Sequence, residues 1–215
     1  GHAIVMSFTV KFWGVRGSLP SAPTPNELLE HIKKTLESFF AAGHTSREAI
    51  SDFLSQQEVS ALGGYGAATT CVEVYTPRTR LILDGGSGIR NLSESIMAGH
   101  FGVAKGAYHI LMTHFHWDHI IGLPFFNPHF IPGAEIHYYA VQEDLEKCIR
   151  QVFTRPFFPV AFETLKAKIF FHRLEPRQSF KIQDFTITPY RLDHPDPCWG
   201  YRIESEGKVY AHCVD

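Results

Sequence analysis

The stretch "LMTHFHWDHIIGLP", residues 111–124, places three histidines and an aspartate within six positions, directly after an apolar run. A run such as "ILMT" is extended and buried. The residues after it leave the strand end as a loop, where functional groups are commonly displayed. His114 and His116 stand two apart, so a bent loop aims both imidazoles at one point. Asp118 and His119 follow and can face a neighbouring point. Nitrogen and carboxylate donors at this density suit zinc, with iron or manganese as alternatives. Chance surface histidines seldom take the order HxHxDH behind an apolar strand, so the pattern predicts a metal centre.

The remainder of the chain sets the frame. Its 215 residues are 44% hydrophobic and 20% charged, enough for one domain with a sizeable core. Net charge is −2 and basic residues form no runs, which disfavours long nucleic acid as a partner. A small cationic pocket stays open. Cys71, Cys148, Cys198 and Cys213 form no CxxC pair and read as free, mostly buried thiols of a reducing, cytoplasmic protein. No apolar run is long enough to cross a bilayer, so no membrane partner is expected. The leading "GHAIV" reads as a cloning remnant, leaving residues 6–215 as the domain.

Strands are predicted at "FTVKFWGV", "CVEVY", "RLILD", "AYHILMTH", "AEIHYYAV", "AKIFFHRL", "FTITPYRL", "WGYRIES" and "KVYAHCVD". "CVEVY" and "RLILD" pair as a hairpin around "TPRT". Helices are predicted in "GGSGIRNLSESIMAG" and from about Gln142 to Phe153. A helical pair fills the segment near residues 24–57. Thr24, Pro25 and Glu27 form a capping box with proline at the first helical position, and Gly43 is a stop. Thr45 and Glu48 repeat the box. Leu28, Leu29, Ile32, Leu36, Phe39 and Phe40 make one apolar stripe; Ile50, Phe53 and Leu54 make the other, and both are expected to pack. Many strands with interspersed helices predict an α/β sandwich in one domain.

The string "THFHWDHIIGLP" resembles the HxHxDH motif of the metallo-β-lactamase-fold hydrolases. "FWGVRGSLP", "LILDGGSGIRNL", "RLDHPDPCWGYRIES" and "KVYAHCVD" follow in that family's order, closest to its phosphodiesterase and RNase Z-like branch. The resemblance covers nearly the whole chain. It implies a four-layer αββα sandwich, with the helical pair as an insertion, and two divalent ions, zinc before manganese or iron. It also implies His114, His116 and His194 on the first ion and Asp118 and His119 on the second. Asp215 would bridge both, Asp118 would double as a catalytic proton acceptor, and Asp84 would orient the metal loop from behind. The implied reaction is hydrolysis of a small phosphodiester by hydroxide held on the metals. Thioester, lactone or carboxylic ester hydrolysis on the same ions is the alternative. An iron-dependent oxidoreductase and a non-catalytic metal-binding module stand further off.

Other features divide between function and structure. "GGSG" at 85–88 is either a phosphate cradle or a turn, and the missing P-loop lysine favours the turn. Arg16 either meets an anionic substrate or pins its own loop. His212, Cys213 and Cys198 read as packing residues, and the Trp117 side chain as a buried stiffener of the loop. Relatives carry "GGNT" where this chain reads "GGYGAATT", so Gly66 and Ala67 replace a polar group near the pocket. The helical pair is a lid, an oligomer surface or decoration. The family has a further segment and a late histidine after the bridging aspartate, so the chain is expected to be C-terminally truncated, with the first site better formed than the second.

Overall fold

The computed structural model describes residues 8–58, 66–99 and 106–215. The cloning remnant expected at the start lies outside them. Six strands form the first sheet in chain order: β1 (Thr9–Gly14), β2 (Cys71–Tyr75), β3 (Arg80–Leu83), β4 (Ala107–Leu111), β5 (Glu135–Ala140) and β6 (Lys168–Arg173). β1, β2 and β3 pair antiparallel, as the hairpin around "TPRT" predicts, and β3 to β6 run parallel. The second sheet is antiparallel, in the order β10 (Lys208–His212), β9 (Cys198–Ser205), β8 (Phe185–Leu192) and β7 (Phe180–Ile182). Only the three-residue β7 is missing from the predicted strands, being too short to show a period.

The chain is an α/β sandwich, as predicted. Both faces of the first sheet are covered, which is why β3 reads "RLIL" without polar alternation. Ile82, Ile110, Ile136 and Tyr138 pack under α3 (Ile89–Met97) and α5 (Leu145–Val152), which present Ile89, Leu92, Ile96, Leu145 and Ile149. Leu81, Leu83 and Leu111 face the other way, against Phe185, Ile187, Tyr201 and Ile203 of the second sheet. Burying each such side chain contributes about 2 kcal/mol. Tyr201 bridges the two sheets, its hydroxyl donating to the Met112 carbonyl at 2.6 Å. Helix, sheet and sheet make three of the four predicted layers; among the described residues no helix covers the outer face of the second sheet. No helix among them is long and apolar enough to cross a membrane.

The insertion forms two helices, α1 (Pro25–Ala41) and α2 (Ala49–Ser55). The Thr24–Glu27 box is present in both directions, and the chain leaves α1 through Gly43 at φ +82°. The second box is not formed. Bonds from Ala49 and Ile50 to the Ser46 and Arg47 carbonyls make a turn there instead, and α2 starts without a side-chain cap. The two stripes also bury less than predicted. Phe39 and Phe53 pack edge to face at 5.3 Å and are buried, while most of the other stripe residues stay in solvent.

Three histidines cluster on β4, β5 and β6. The parallel register places His109 beside His137, and Tyr139 beside His172. The His109 Nδ1 meets the Tyr139 hydroxyl at 2.9 Å, and the His137 Nδ1 meets the His172 Nε2 at 2.8 Å. Burial, then the charges of His137 and His172, push His109 down to about 4. A histidine held neutral adds no pH dependence above its ordinary value of 6.5 and costs stability as pH falls from there to about 4. Urea unfolding midpoints are expected to fall across that window, and to fall less in His109→Leu. Equal losses in both proteins would show that His109 is free to charge in the fold.

Candidate metal centre

The predicted site residues converge where β3, β4, β8 and β10 end. After β4 the chain passes through Met112 and Thr113 into His114. His116 then caps a single helical turn, α4 (Trp117–Ile120), with extended backbone at ψ 151°. Asp118 and His119 therefore lie on a helix rather than on the predicted loop, closed by the His119 and Ile121 amides on the His116 and Trp117 carbonyls. Trp117 is 68% exposed and does not bury to stiffen the loop, because the turn directs the two residues after it inward instead.

Asp84 lies under this turn, completely buried. Its backbone is left-handed at φ +61°, a conformation aspartate tolerates, so the chain turns sharply off β3. The carboxylate accepts from the Thr113 amide at 2.8 Å, the Thr113 hydroxyl at 2.7 Å and the His119 Nδ1 at 2.8 Å. The His119 Nε2 is thereby turned away from Asp84 into the cluster. His212, expected only to pack, is buried with its Nε2 3.9 Å from the same carboxylate.

Two groups of donor atoms result, each within 4.8 Å: His114, His116 and His194, and His114, His119 and Asp215. The His116 Nδ1 faces the His194 Nε2 at 3.3 Å. The Asp215 Oδ2 lies 2.8 Å from the His119 Nε2 and 3.5 Å from the His114 Nε2. The Asp118 Oδ2 is 3.5 Å from the His119 Nε2 and accepts the Ser18 amide at 2.9 Å. The buried His114 Nε2 has no hydrogen-bond partner, and His114 belongs to both groups. An orphaned buried nitrogen is costly unless something else satisfies it, and a cation among these donors would do so.

The structure adds residues that sequence reasoning missed. Asp196 meets the His116 Nε2 at 2.6 Å, leaving only Nδ1 to face the cluster. Gln142 donates to the Thr113 carbonyl at 3.0 Å and the Pro197 carbonyl at 2.8 Å, and the Trp199 amide also reaches Thr113. These bonds tie the His194 loop to the histidine loop. The Cys198 Sγ packs 3.5 Å from the His114 Nδ1. Only the nearness of Asp196 to His194 in "DHPD" hinted at any of this.

Burial, then the charge of His119, lowers His114 to about 4. Burial alone would lower His119 as well, but the Asp84 hydrogen bond and the charges of Asp84, Asp118 and Asp215 raise it to about 9. Burial would raise Asp84; the His119 hydrogen bond and the nearby charges of His119 and His212 outweigh it and hold the carboxyl well below its usual range.

The flanking features are structural. Arg16 donates from Nε to the Gly66 carbonyl at 3.0 Å and so pins its own loop. The Ala67 and Ala68 carbonyls accept from the same loop, so this segment binds it by backbone. "GGSG" is the turn: its Ser87 amide is taken by Thr69, and a Cβ on Gly86 would strike the Asp118 carbonyl.

Asp84→Ala would strand three buried donors and place alanine at positive φ. A loss of roughly 3–5 kcal/mol is expected in urea unfolding. Cys213→Ala, at an exposed position, is expected to change stability by no more than about 0.5 kcal/mol. Similar unfolding midpoints for the two variants would show that Asp84 is only a turn residue.

The description "Beta-lactamase superfamily domain" matches residues 79–215. Ribonuclease Z of Staphylococcus carnosus (strain TM300) is 28% identical over 140 residues, covering 60% of this chain and 41% of that protein. Ribonuclease Z of Listeria monocytogenes serotype 4a (strain HCC23) is 34% identical over 112 residues, covering 49% and 34%. The chain thus spans well under half the length of these curated relatives. The crystal structure of human tRNase Z, short form (ELAC1), superposes with a TM-score of 0.53 at 18% identity, covering 96% of this chain and 68% of that one. That likeness speaks for the shared fold. With the family match extending over more than half of its length, and with the HxHxDH turn inside that match, the chain belongs to the beta-lactamase superfamily of metal-binding fold.

Proposed function

We propose that this chain is a metal-dependent hydrolase of small phosphodiesters that holds two divalent ions, with zinc the ion best suited to its donors. The supporting observation is the double cluster of donor atoms joined at His114. His114, His116 and His194 would hold one ion, and Asp118, His119 and Asp215 the other, with Asp215 reaching towards both. Ligand atoms on a tetrahedral zinc lie about 3.3 Å apart. The His116–His194 and His114–Asp215 separations of 3.3 and 3.5 Å fit that spacing. The orphaned Nε2 of His114 gains a partner in the same arrangement.

Bound divalent ions supply a water of lowered pKa and positive charge for a phosphoryl oxygen. The chain supplies orientation. Asp84 fixes the His119 ring through Nδ1, and Asp196 fixes His116 through Nε2, so each presents one nitrogen to the cluster. The Asp118 Oδ2 accepts the Ser18 amide, which would orient the carboxylate as a proton acceptor. Net charge −2 and no basic run favour a small substrate over a long polyanion. A second reading, a phosphodiester bond within RNA, is favoured by the matched relatives named Ribonuclease Z.

His114→Ala, His116→Ala and His194→Ala are each expected to lose metal in elemental analysis while keeping the wild-type circular dichroism. Unchanged metal content in all three would refute the ligand assignment. Asp196→Ala is expected to weaken metal binding on the order of tenfold by competition with a chelating dye.

Metal-loaded protein is expected to cleave bis(p-nitrophenyl) phosphate in preference to thioesters and lactones. Faster cleavage of a structured RNA with a 3′ extension would transfer the assignment to the second reading, and preference for a thioester or lactone would discard the phosphodiester.

A further inference from the structure

We infer that the α1–α2 hairpin is a self-association surface, on which a second copy of this chain docks antiparallel across α1. Leu28, Leu29, Ile32, Leu36, Phe40 and Ile50 remain 44–62% exposed and all lie on this hairpin. α1 carries its own start and stop, the Thr24–Glu27 box and Gly43, and Phe39 and Phe53 join α2 to it. A large apolar side chain half exposed presents on the order of 100 Å², so the six make a patch of roughly 600 Å². That is the upper end of what monomers leave open, about 300–600 Å². With the polar margin added it approaches the ~800 Å² that each partner buries in a stable complex.

The pattern along α1 chooses the partner. Successive residues turn by about 100°, so Leu28, Leu29, Ile32, Leu36 and Phe40 form one stripe. The stripe is symmetric about residue 34. In an antiparallel pair with its twofold axis there, Leu28 of one copy meets Phe40 of the other, and Ile32 meets Leu36. A twofold contact requires this kind of self-complementarity. Charge agrees with it. Lys33 and Glu37 fall along one margin of the stripe, and neither makes an ion pair among the described residues. In the antiparallel pair that margin faces its own copy, with Lys33 and Glu37 of opposite chains offset by only about 3 Å along the helix axis. Two such pairs would line that one margin of the apolar seam, and the two hairpins together would make a four-helix arrangement.

Sedimentation of the full chain at tens of micromolar is the test, and its readout is mass, independent of hydrolysis. A dimer is expected, and Ile32→Glu with Leu36→Glu is expected to sediment as a monomer with unchanged helical signal. Lys33→Glu is expected to weaken the dimer, and Lys33→Glu with Glu37→Lys to restore it, because the exchanged charges still face each other. This pair of surface variants keeps the test open even if the apolar double variant unfolds. A wild-type monomer, a dimer that survives the apolar double variant, or a charge exchange that fails to restore association would each overturn the inference.

Discussion

The buried Asp84 carboxylate is the constraint on which the site depends. It has no solvent contact and carries its charge at the end of β3, so its oxygens must be filled by donors from elsewhere in the chain. The donors come from the Thr113 amide and hydroxyl and from His119. One carboxylate thereby fixes where the loop leaves β4 and which nitrogen of His119 faces the cluster. His212 completes the surroundings from β10 in the second sheet. The two sheets are registered by a polar contact at the site end as well as by the apolar contacts between their faces.

The sandwich explains why donors so distant in sequence meet. β3 and β4 run parallel, so their carboxyl ends lie together, and this is where such sheets commonly place their ligands. The β8–β9 connection brings His194 and Asp196 to the same end, held by Gln142 and by the Trp199 amide. Close approach does the rest. Gly122 lies against the Gly86 backbone so tightly that a side chain on either would force the α4 turn away from β3. Gly85 and Gly86 of "GGSG" and Gly122 of "IIGLP" are therefore packing residues of one joint.

The helical insertion obeys different physics. Its first helix is specified by local signals: the Thr24 capping box, Pro25 and Gly43. Its apolar stripes predict burial, yet among the described residues only Phe39 and Phe53 of those stripes are buried. Periodicity reports that a face is apolar and says nothing of what covers it. The same blind spot explains Trp117, whose apolar ring reads as buried until the direction of a single helical turn places it in solvent.

Much of this protein was legible from its sequence because the relevant physics is local. HxHxDH behind an apolar strand announces a metal-binding turn, two-sided burial writes itself as unbroken "RLIL" and "HILM", and Thr24 to Glu27 spell a helix start. Family resemblance extended this to His194, Asp84 and Asp215. What remained hidden depends on distant partners. The pairing of Asp196 with His116, the tie through Gln142 and the place of His212 beside Asp84 join residues 80, 55 and 128 positions apart, as the numbering of the chain shows. A carboxylate or an amide has the same letter whether it fills a loop or holds a ligand in place. Only packing, which decides which polar groups are buried and must find a partner, tells the two apart.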